Sequence, residues 1–193
     1  MKAVVVSRAG GPEVLEALER ELPSIKPGWS LVKVMGFGIN HSEIFTRQGL
    51  SPSVVFPRVL GIEMVGIIEE TSNPSRLPVG QKVVSIMGEM GRAYDGGYAE
   101  YALLPNDNLY TIETDLDWRD LASVPETYYT AYGSMKNLKI EAKDRILVRA
   151  GSSGVGQAFA KLVRARFPEV GLVASVRRLD KEEKILAAGF DQV

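Results

Sequence analysis

The sequence predicts an α/β protein that begins with a strand-rich region and continues into a strand–helix–strand unit. Short apolar and β-branched runs separated by turn residues recur as far as residue 104, which is typical of a compact β-barrel or sandwich. From Arg145 onward the order changes to strand, glycine-rich turn, helix, strand and helix, as in a doubly wound parallel sheet. We therefore predict two domains, residues 1–118 and 119–193.

The strands of the first region are recognised by β-branched residues, alternation and flanking turn residues. Asn40 followed by Glu43 resembles a capping box, so a short helix is expected over 41–48, closed by Gly49. Strands are expected over residues 4–6, 15–22, 30–35, 64–70, 82–87 and 98–104.

Helices enter the pattern in the second region. Asp117 is expected to cap a helical stretch that begins at Trp118, and Asp180, followed by Glu183, is expected to cap the last helix. The other elements are a helix over 126–138, a strand over 145–150, a helix over 157–167, a strand over 172–176 and a third strand that would begin at Phe190.

Composition excludes several classes of function. The formal net charge of the 193 residues is −1, which gives no basic surface for nucleic acid or an anionic membrane. The sequence has no run of about 18 apolar residues, so it predicts no membrane span. The chain has no cysteine, so disulfides and thiolate metal sites are excluded and a cytoplasmic location is the default expectation.

A glycine-rich turn follows the apolar strand that ends near Ala150 and opens the next helix. Glycines let a backbone approach a pyrophosphate, and a helix N-terminus offers free N–H groups, so this context predicts a dinucleotide site. The spacing Gly-x-x-Gly-x-Gly differs from the usual fingerprint, and glycines needed only for packing remain the alternative. The candidate residues are Gly151, Ser152, Ser153, Gly154, Val155 and Gly156.

The end of the following strand favours NADPH over NADH. An acidic residue there would bind the ribose 2′-hydroxyl of NAD, whereas arginine accommodates the 2′-phosphate of NADP. This chain has Ser175, Arg177, Arg178 and Lys181 instead of an acid at the strand end. The alternative is that the two arginines are a solvated surface pair.

Several segments together resemble the medium-chain dehydrogenase/reductase superfamily, most closely its zinc-free quinone oxidoreductase branch. The resemblance implies a GroES-like β-barrel followed by a Rossmann nucleotide-binding domain. It also implies NADPH-dependent reduction of a quinone or an α,β-unsaturated carbonyl, by an enzyme that is a homo-oligomer when complete. The matching segments, in order and spacing, are 38–43, 56–66, 96–101, 130–132 and the glycine turn.

The resemblance also assigns candidate residues. Asn40 stands where zinc-dependent relatives have a ligand cysteine, and Ile62 stands where they have a histidine, so no metal is expected. Asn40 would lie near the nicotinamide as the catalytic hydrogen-bond donor, and Thr130 would contact the cofactor. Glu63 is expected to be a structural acid. His41, Tyr128 and Tyr129 keep both catalytic and structural interpretations, and no proton donor is assigned.

Only part of a Rossmann sheet is predicted. In the order 3-2-1-4-5-6, strands 4 to 6 have no candidate here. We therefore expect an incomplete form that binds NADPH weakly and associates through the open edge of its first strand. The alternative function is a non-catalytic nucleotide-binding or assembly protein of the same fold.

Overall fold

The computed structural model describes residues 1–193, which divide into two compact units, Met1–Glu126 and Thr127–Val193. The division falls after residue 126 rather than after residue 118, because the helical turn that begins at Trp118 packs on the first unit. A Cβ added to Gly36 would lie 2.9 Å from Cβ of Ala122, which shows how closely this turn approaches the neighbouring strand. Where the nucleotide-binding function begins along the chain stays a prediction.

The first unit is built from two antiparallel sheets. The elements are β1 (Lys2–Val6), β2 (Leu15–Glu19), β3 (Trp29–Gly36), α1 (His41–Arg47), β4 (Arg58–Val59), β5 (Glu63–Thr71), β6 (Lys82–Ile86), β7 (Tyr101–Pro105), β8 (Tyr110–Thr111) and α2 (Trp118–Leu121). One sheet has five strands in the order β7-β3-β5-β6-β8, and the other has three in the order β2-β1-β4.

Buried and more exposed residues alternate along these strands, as the alternation of residue types in the sequence predicts. In β7, Ala102 and Leu104 are buried while their neighbours along the strand are half exposed. The predicted half-buried strand over 15–22 was wrong in its burial and length, because every residue of β2 is exposed and the strand ends at Glu19. The strand pairs only with β1 at the edge of its sheet, and all five of its residues are exposed.

The second unit contains a parallel strand–helix–strand crossover. Its elements are α3 (Pro125–Leu138, which begins in the first unit), β9 (Arg145–Arg149), α4 (Gly154–Arg166), β10 (Gly171–Ser175) and α5 (Glu182–Ala187). Residues of β9 pair in parallel with those of β10, and Gln192 forms a parallel bridge to Val173 on the other side of β10. The chain end therefore lies where the predicted third strand would pair.

Two helix starts differ from the predictions. α4 begins at Gly154 rather than at residue 157, because the Ser153 side chain accepts the Gly156 N–H at 3.0 Å and caps the helix. The prediction that Asp180 caps the last helix was wrong, since α5 has Lys181 at its N-cap position. Asp180 instead forms an exposed ion pair with Arg178 at 3.7 Å.

Each unit has its own apolar interior. The first unit has two buried clusters, one including Met64 and Leu104 and the other including Val6 and Leu60. The interior of the second unit lies between its helices and the two strands, around Phe159. No helix combines the length and apolar character that crossing a membrane requires.

Candidate cofactor and catalytic sites

Packing alone explains two of the three glycines in the turn between β9 and α4. A Cβ on Gly151 would lie 2.6 Å from Cβ of Ala174 in β10, and one on Gly156 would lie 2.7 Å from the carbonyl oxygen of Ala150. Ala150 itself has φ of +57°, which shows how sharply the chain bends as it leaves the strand. The packing interpretation is therefore sufficient at Gly151 and Gly156.

Gly154 is different because the fold does not require a glycine there. It is exposed, and an added Cβ would meet nothing closer than Cγ2 of Thr127, at an ordinary contact distance of 3.7 Å. Gly154 and Val155 are the first two residues of α4, whose N–H groups have no acceptor within the helix. Ser152, Ser153 and Val155 are exposed as well, so the turn opens to solvent with N–H groups and a positive dipole end towards it.

The residues after β10 start next to this turn. The Gly151 N–H donates to the Ser175 carbonyl at 3.2 Å, which joins the turn to the end of the strand. Ser175, Arg177 and Lys181 are exposed, and so is Arg178, which pairs with Asp180. The exposure leaves both interpretations of the arginines open, a phosphate site and a solvated pair.

The helix α3 places one residue at the turn that the sequence did not single out. Thr127, not Thr130, is the threonine whose side chain lies beside Gly154. Thr130 is exposed one turn further along the same helix. Tyr128 packs against the core of the second unit, whereas Tyr129 is 64% exposed.

In the first unit, Asn40 is held through both its backbone and its side chain. It is the N-cap residue of α1, and its N–H donates to Oε2 of Glu43 at 2.7 Å, as the predicted capping box requires. Its amide nitrogen Nδ2 donates to Oε1 of Glu63 at 2.8 Å. Asn40 is half-buried, so part of its side chain remains accessible.

Glu43 is the buried centre of this hydrogen-bond network. Its Oε1 accepts the Ile62 N–H at 2.8 Å, and its Oε2 also accepts the hydroxyl of Tyr98. Burial raises the pKa of the Glu43 carboxyl above its ordinary value. Burial and the bond to Glu43 raise the pKa of the Tyr98 hydroxyl far above its ordinary value.

Glu63 is equally buried and uses both of its carboxylate oxygens. Oε1 accepts from Asn40, and Oε2 accepts the Glu126 N–H at 2.8 Å. Burial raises the pKa of Glu63, and the negative charges of Glu126 and Glu43 raise it further. The sequence suggested a structural acid at this position but not its contact with Asn40, because residues 40 and 63 approach each other only in the folded barrel.

His41 takes no part in this hydrogen-bond network. The His41 ring is exposed and packs edge-on against Phe45, with 5.5 Å between ring centres. The structure brings together no group of three or more His, Asp or Glu side chains that could hold a metal ion. The absence of a catalytic metal stays a prediction.

The strand-rich first unit, the parallel crossover and the open glycine turn together match the architecture of dehydrogenases and reductases that have a separate nucleotide-binding unit. Residues 26–114 match the family described as "Alcohol dehydrogenase GroES-like domain". The chain is 34% identical over 170 residues to quinone oxidoreductase of Pongo abelii, a match that covers 86% of this chain and 50% of that protein. The chain is therefore similar to the quinone oxidoreductases of the medium-chain dehydrogenase/reductase superfamily, and its residues 26–114 match their GroES-like domain.

Solved structures agree with this assignment. A quinone oxidoreductase from Pseudomonas syringae pv. tomato DC3000 superposes with a TM-score of 0.88 at 26% identity, over 100% of this chain and 58% of that one. A mycobacterial protein solved in complex with NADPH superposes with a TM-score of 0.84 at 27% identity, over 100% of this chain and 58% of that one. The chain spans 50% of the length of the quinone oxidoreductase of Pongo abelii.

Proposed function

We propose that this chain belongs to an NADPH-dependent reductase that passes hydride to a quinone or an α,β-unsaturated carbonyl without a metal ion. The observation that carries the proposal is the exposed turn at Gly154, where the fold leaves space for a ligand and two helix N–H groups without partners. The quinone oxidoreductase relatives and the NADPH complex of a structural neighbour support it. We further propose a cytoplasmic location and a homo-oligomer for the complete enzyme.

The cofactor would be held by the second unit. The N–H groups of Gly154 and Val155 would bind the pyrophosphate, and the small side chains of Ser152 and Ser153 leave the turn accessible. Thr130 is proposed to contact the cofactor as well. The 2′-phosphate would be bound by exposed residues at the end of β10 and just after it, which are Ser175, Arg177, Arg178 and Lys181.

Asn40 is proposed as the group that stabilises charge on the acceptor. When bound, NADPH would supply the hydride, and negative charge would then develop on the acceptor oxygen. One hydrogen of Asn40 Nδ2 is bonded to Glu63, and the second hydrogen can donate to that oxygen. Tyr98 is a poor proton source near neutral pH, because its hydroxyl already donates to Glu43 and its pKa is raised.

Turnover tests this role. NADPH oxidation would be followed with a panel of quinones and enones, in this chain and in a version extended to the length of its relatives. We expect Asn40→Ala to lower kcat by about 100-fold, the cost of removing one such donor. Asn137→Ala, an exposed change in α3, is the matched control. Unchanged turnover in Asn40→Ala would remove Asn40 from the mechanism.

A non-catalytic nucleotide-binding or assembly protein is the second candidate. It is favoured by the open edge of β9, which pairs only with β10 and exposes 66% of Leu147. Stoichiometric NADPH binding with no turnover of any acceptor, even in the extended version, would establish this alternative.

A further inference from the structure

We infer that Glu63 is a positioning residue that holds the Asn40 amide in one orientation from inside the barrel. The consequence for catalysis rests on the proposed function, whereas the hydrogen-bond geometry does not. The Asn40 side chain itself therefore reports on the inference, independently of turnover.

Glu63 can do this only as a carboxylate. Its two oxygens each accept one hydrogen bond, from Asn40 Nδ2 and from the Glu126 N–H, both at 2.8 Å. An ionised carboxylate offers acceptors at both oxygens, whereas a glutamine offers one acceptor and one donor. The NH₂ group of a glutamine at position 63 would therefore face either the Asn40 NH₂ group or the Glu126 N–H. Two donors cannot bond to each other, so one buried hydrogen bond would be lost.

The same contact fixes which way the Asn40 amide faces. If the amide were flipped, its oxygen Oδ1 would meet the Glu63 carboxylate, and two acceptors would repel each other. The observed orientation places Nδ2 against Glu63 and leaves its second hydrogen for another acceptor. Glu63 thereby makes the accessible part of Asn40 a hydrogen-bond donor.

Gly38 provides the space that this arrangement needs. A Cβ at Gly38 would lie 2.2 Å from Oε1 of Glu63 and 2.9 Å from its carboxyl carbon. Oε1 is the oxygen that accepts from Asn40. Any side chain at position 38 would therefore displace the carboxylate from the amide.

Asn40 carries two separate reporters of its surroundings. Its side-chain NH₂ is bonded to Glu63, and its backbone N–H is bonded to Glu43. The carboxylates of Glu126 and Glu43 are the charged groups that act on Glu63, and both raise its pKa. Arg92 is the cation that acts on Glu43.

NMR of the 193-residue chain labelled with ¹⁵N-asparagine tests the inference without any ligand. In the wild type, the Asn40 NH₂ signals should move as Glu63 takes up a proton, at a pH above the ordinary range for glutamate. NH₂ signals that stay constant over the whole pH range in which the protein remains folded would overturn the inference.

Two variants test the contact directly. Glu63→Gln should move the Asn40 NH₂ protons upfield, whereas Glu69→Gln, an exposed change on the same strand, should leave them in place. If Glu63→Gln does not fold, Gly38→Ala should give the same upfield movement, with Gly133→Ala as control because nothing lies within 4 Å of its added Cβ. Unmoved NH₂ signals in the folded variants would contradict the inference.

A double variant that reverses the direction of the hydrogen bond between residues 40 and 63 distinguishes the positioning role of Glu63 from the donor role of Asn40. In Asn40→Asp combined with Glu63→Gln, the glutamine can accept from Glu126 and donate to the aspartate, so the bond is restored with its direction reversed. The double variant should recover the thermal stability lost in Glu63→Gln but not its turnover, since the introduced aspartate presents an acceptor where Asn40 presents a donor. Stability no better than that of Glu63→Gln would overturn the inference. Full turnover in Asn40→Ala, with the NMR linkage intact, would instead reject only the proposed function.

Discussion

Two buried carboxylates, Glu43 and Glu63, lie on either side of Asn40. Both residues are less than 5% exposed, and neither forms an ion pair. Burying charge in this way costs free energy, which hydrogen bonds from N–H, NH₂ and hydroxyl groups only partly offset. The arrangement destabilises the barrel near neutral pH and in return fixes the backbone and side chain of one residue.

This burial gives a testable pH dependence. The folded-state pKa of Glu43 and of Glu63 is raised above the unfolded value of about 4.3. Their contribution to stability is therefore fully present below about pH 4.3 and is lost as the pH rises through the folded pKa. Denaturant unfolding across this range should show a smaller fall in the free energy of unfolding for Glu43→Gln than for the wild type.

Glu69→Gln is the control for that experiment, because it removes an exposed carboxylate from the same strand as Glu63. Its pH profile should follow that of the wild type. Parallel profiles for the wild type and Glu43→Gln would show that Glu43 has the same pKa in the folded and unfolded chains.

At the scale of elements, the turn between β9 and α4 contains two glycines that packing requires and one, Gly154, that it does not. Gly151→Ala should destabilise the protein by about 1–3 kcal/mol, because its Cβ would overlap Ala174 on β10. Gly154→Ala should leave stability unchanged or slightly increased, since alanine favours the first turn of a helix and has room there. Thermal unfolding of the two variants compares them directly, and equal destabilisation would mean that Gly154 is also a packing residue.

The open edge of β9 is a second property of an element. Leu147 is 66% exposed on this strand, and a groove of about 260 Å³ beside it is lined by Leu138, Val155 and Phe159. We expect the chain to associate through this edge, and Leu147→Lys should shift it towards monomer in sedimentation experiments. Val79→Lys, at an equally exposed residue of the first unit, is the control. Association that survives Leu147→Lys would place the contact elsewhere.

The sequence predicted the order of these elements better than their limits. The strand–turn–helix–strand order was recoverable because β-branched runs and glycines mark it locally. The early start of α4 was not, because it depends on whether Ser153 or a later residue caps the helix. The exposure of β2 was also missed, since it depends on the position of the strand at the edge of its sheet.

At the scale of the whole molecule, the resemblance to quinone oxidoreductases could be predicted from the sequence and is confirmed by the matches to known proteins. Asn40 could be named because it replaces a residue of a known motif. Its link to Glu63, and the contact of Thr127 with the glycine turn, could not, because they join residues that are 23 and 27 positions apart and no local pattern marks them.

The central claim is that the turn at Gly154 binds the pyrophosphate of NADPH, and an NMR titration of the ¹⁵N-labelled chain with NADPH tests it most directly. The method detects weak as well as tight binding. The amide signals of Gly154 and Val155 should move most, those of Arg177 and Lys181 should move less with NADH than with NADPH, and Gly154→Val should abolish the changes while remaining folded. Signals of the turn that stay in place at saturating NADPH, or that move equally in Gly154→Val, would contradict the claim.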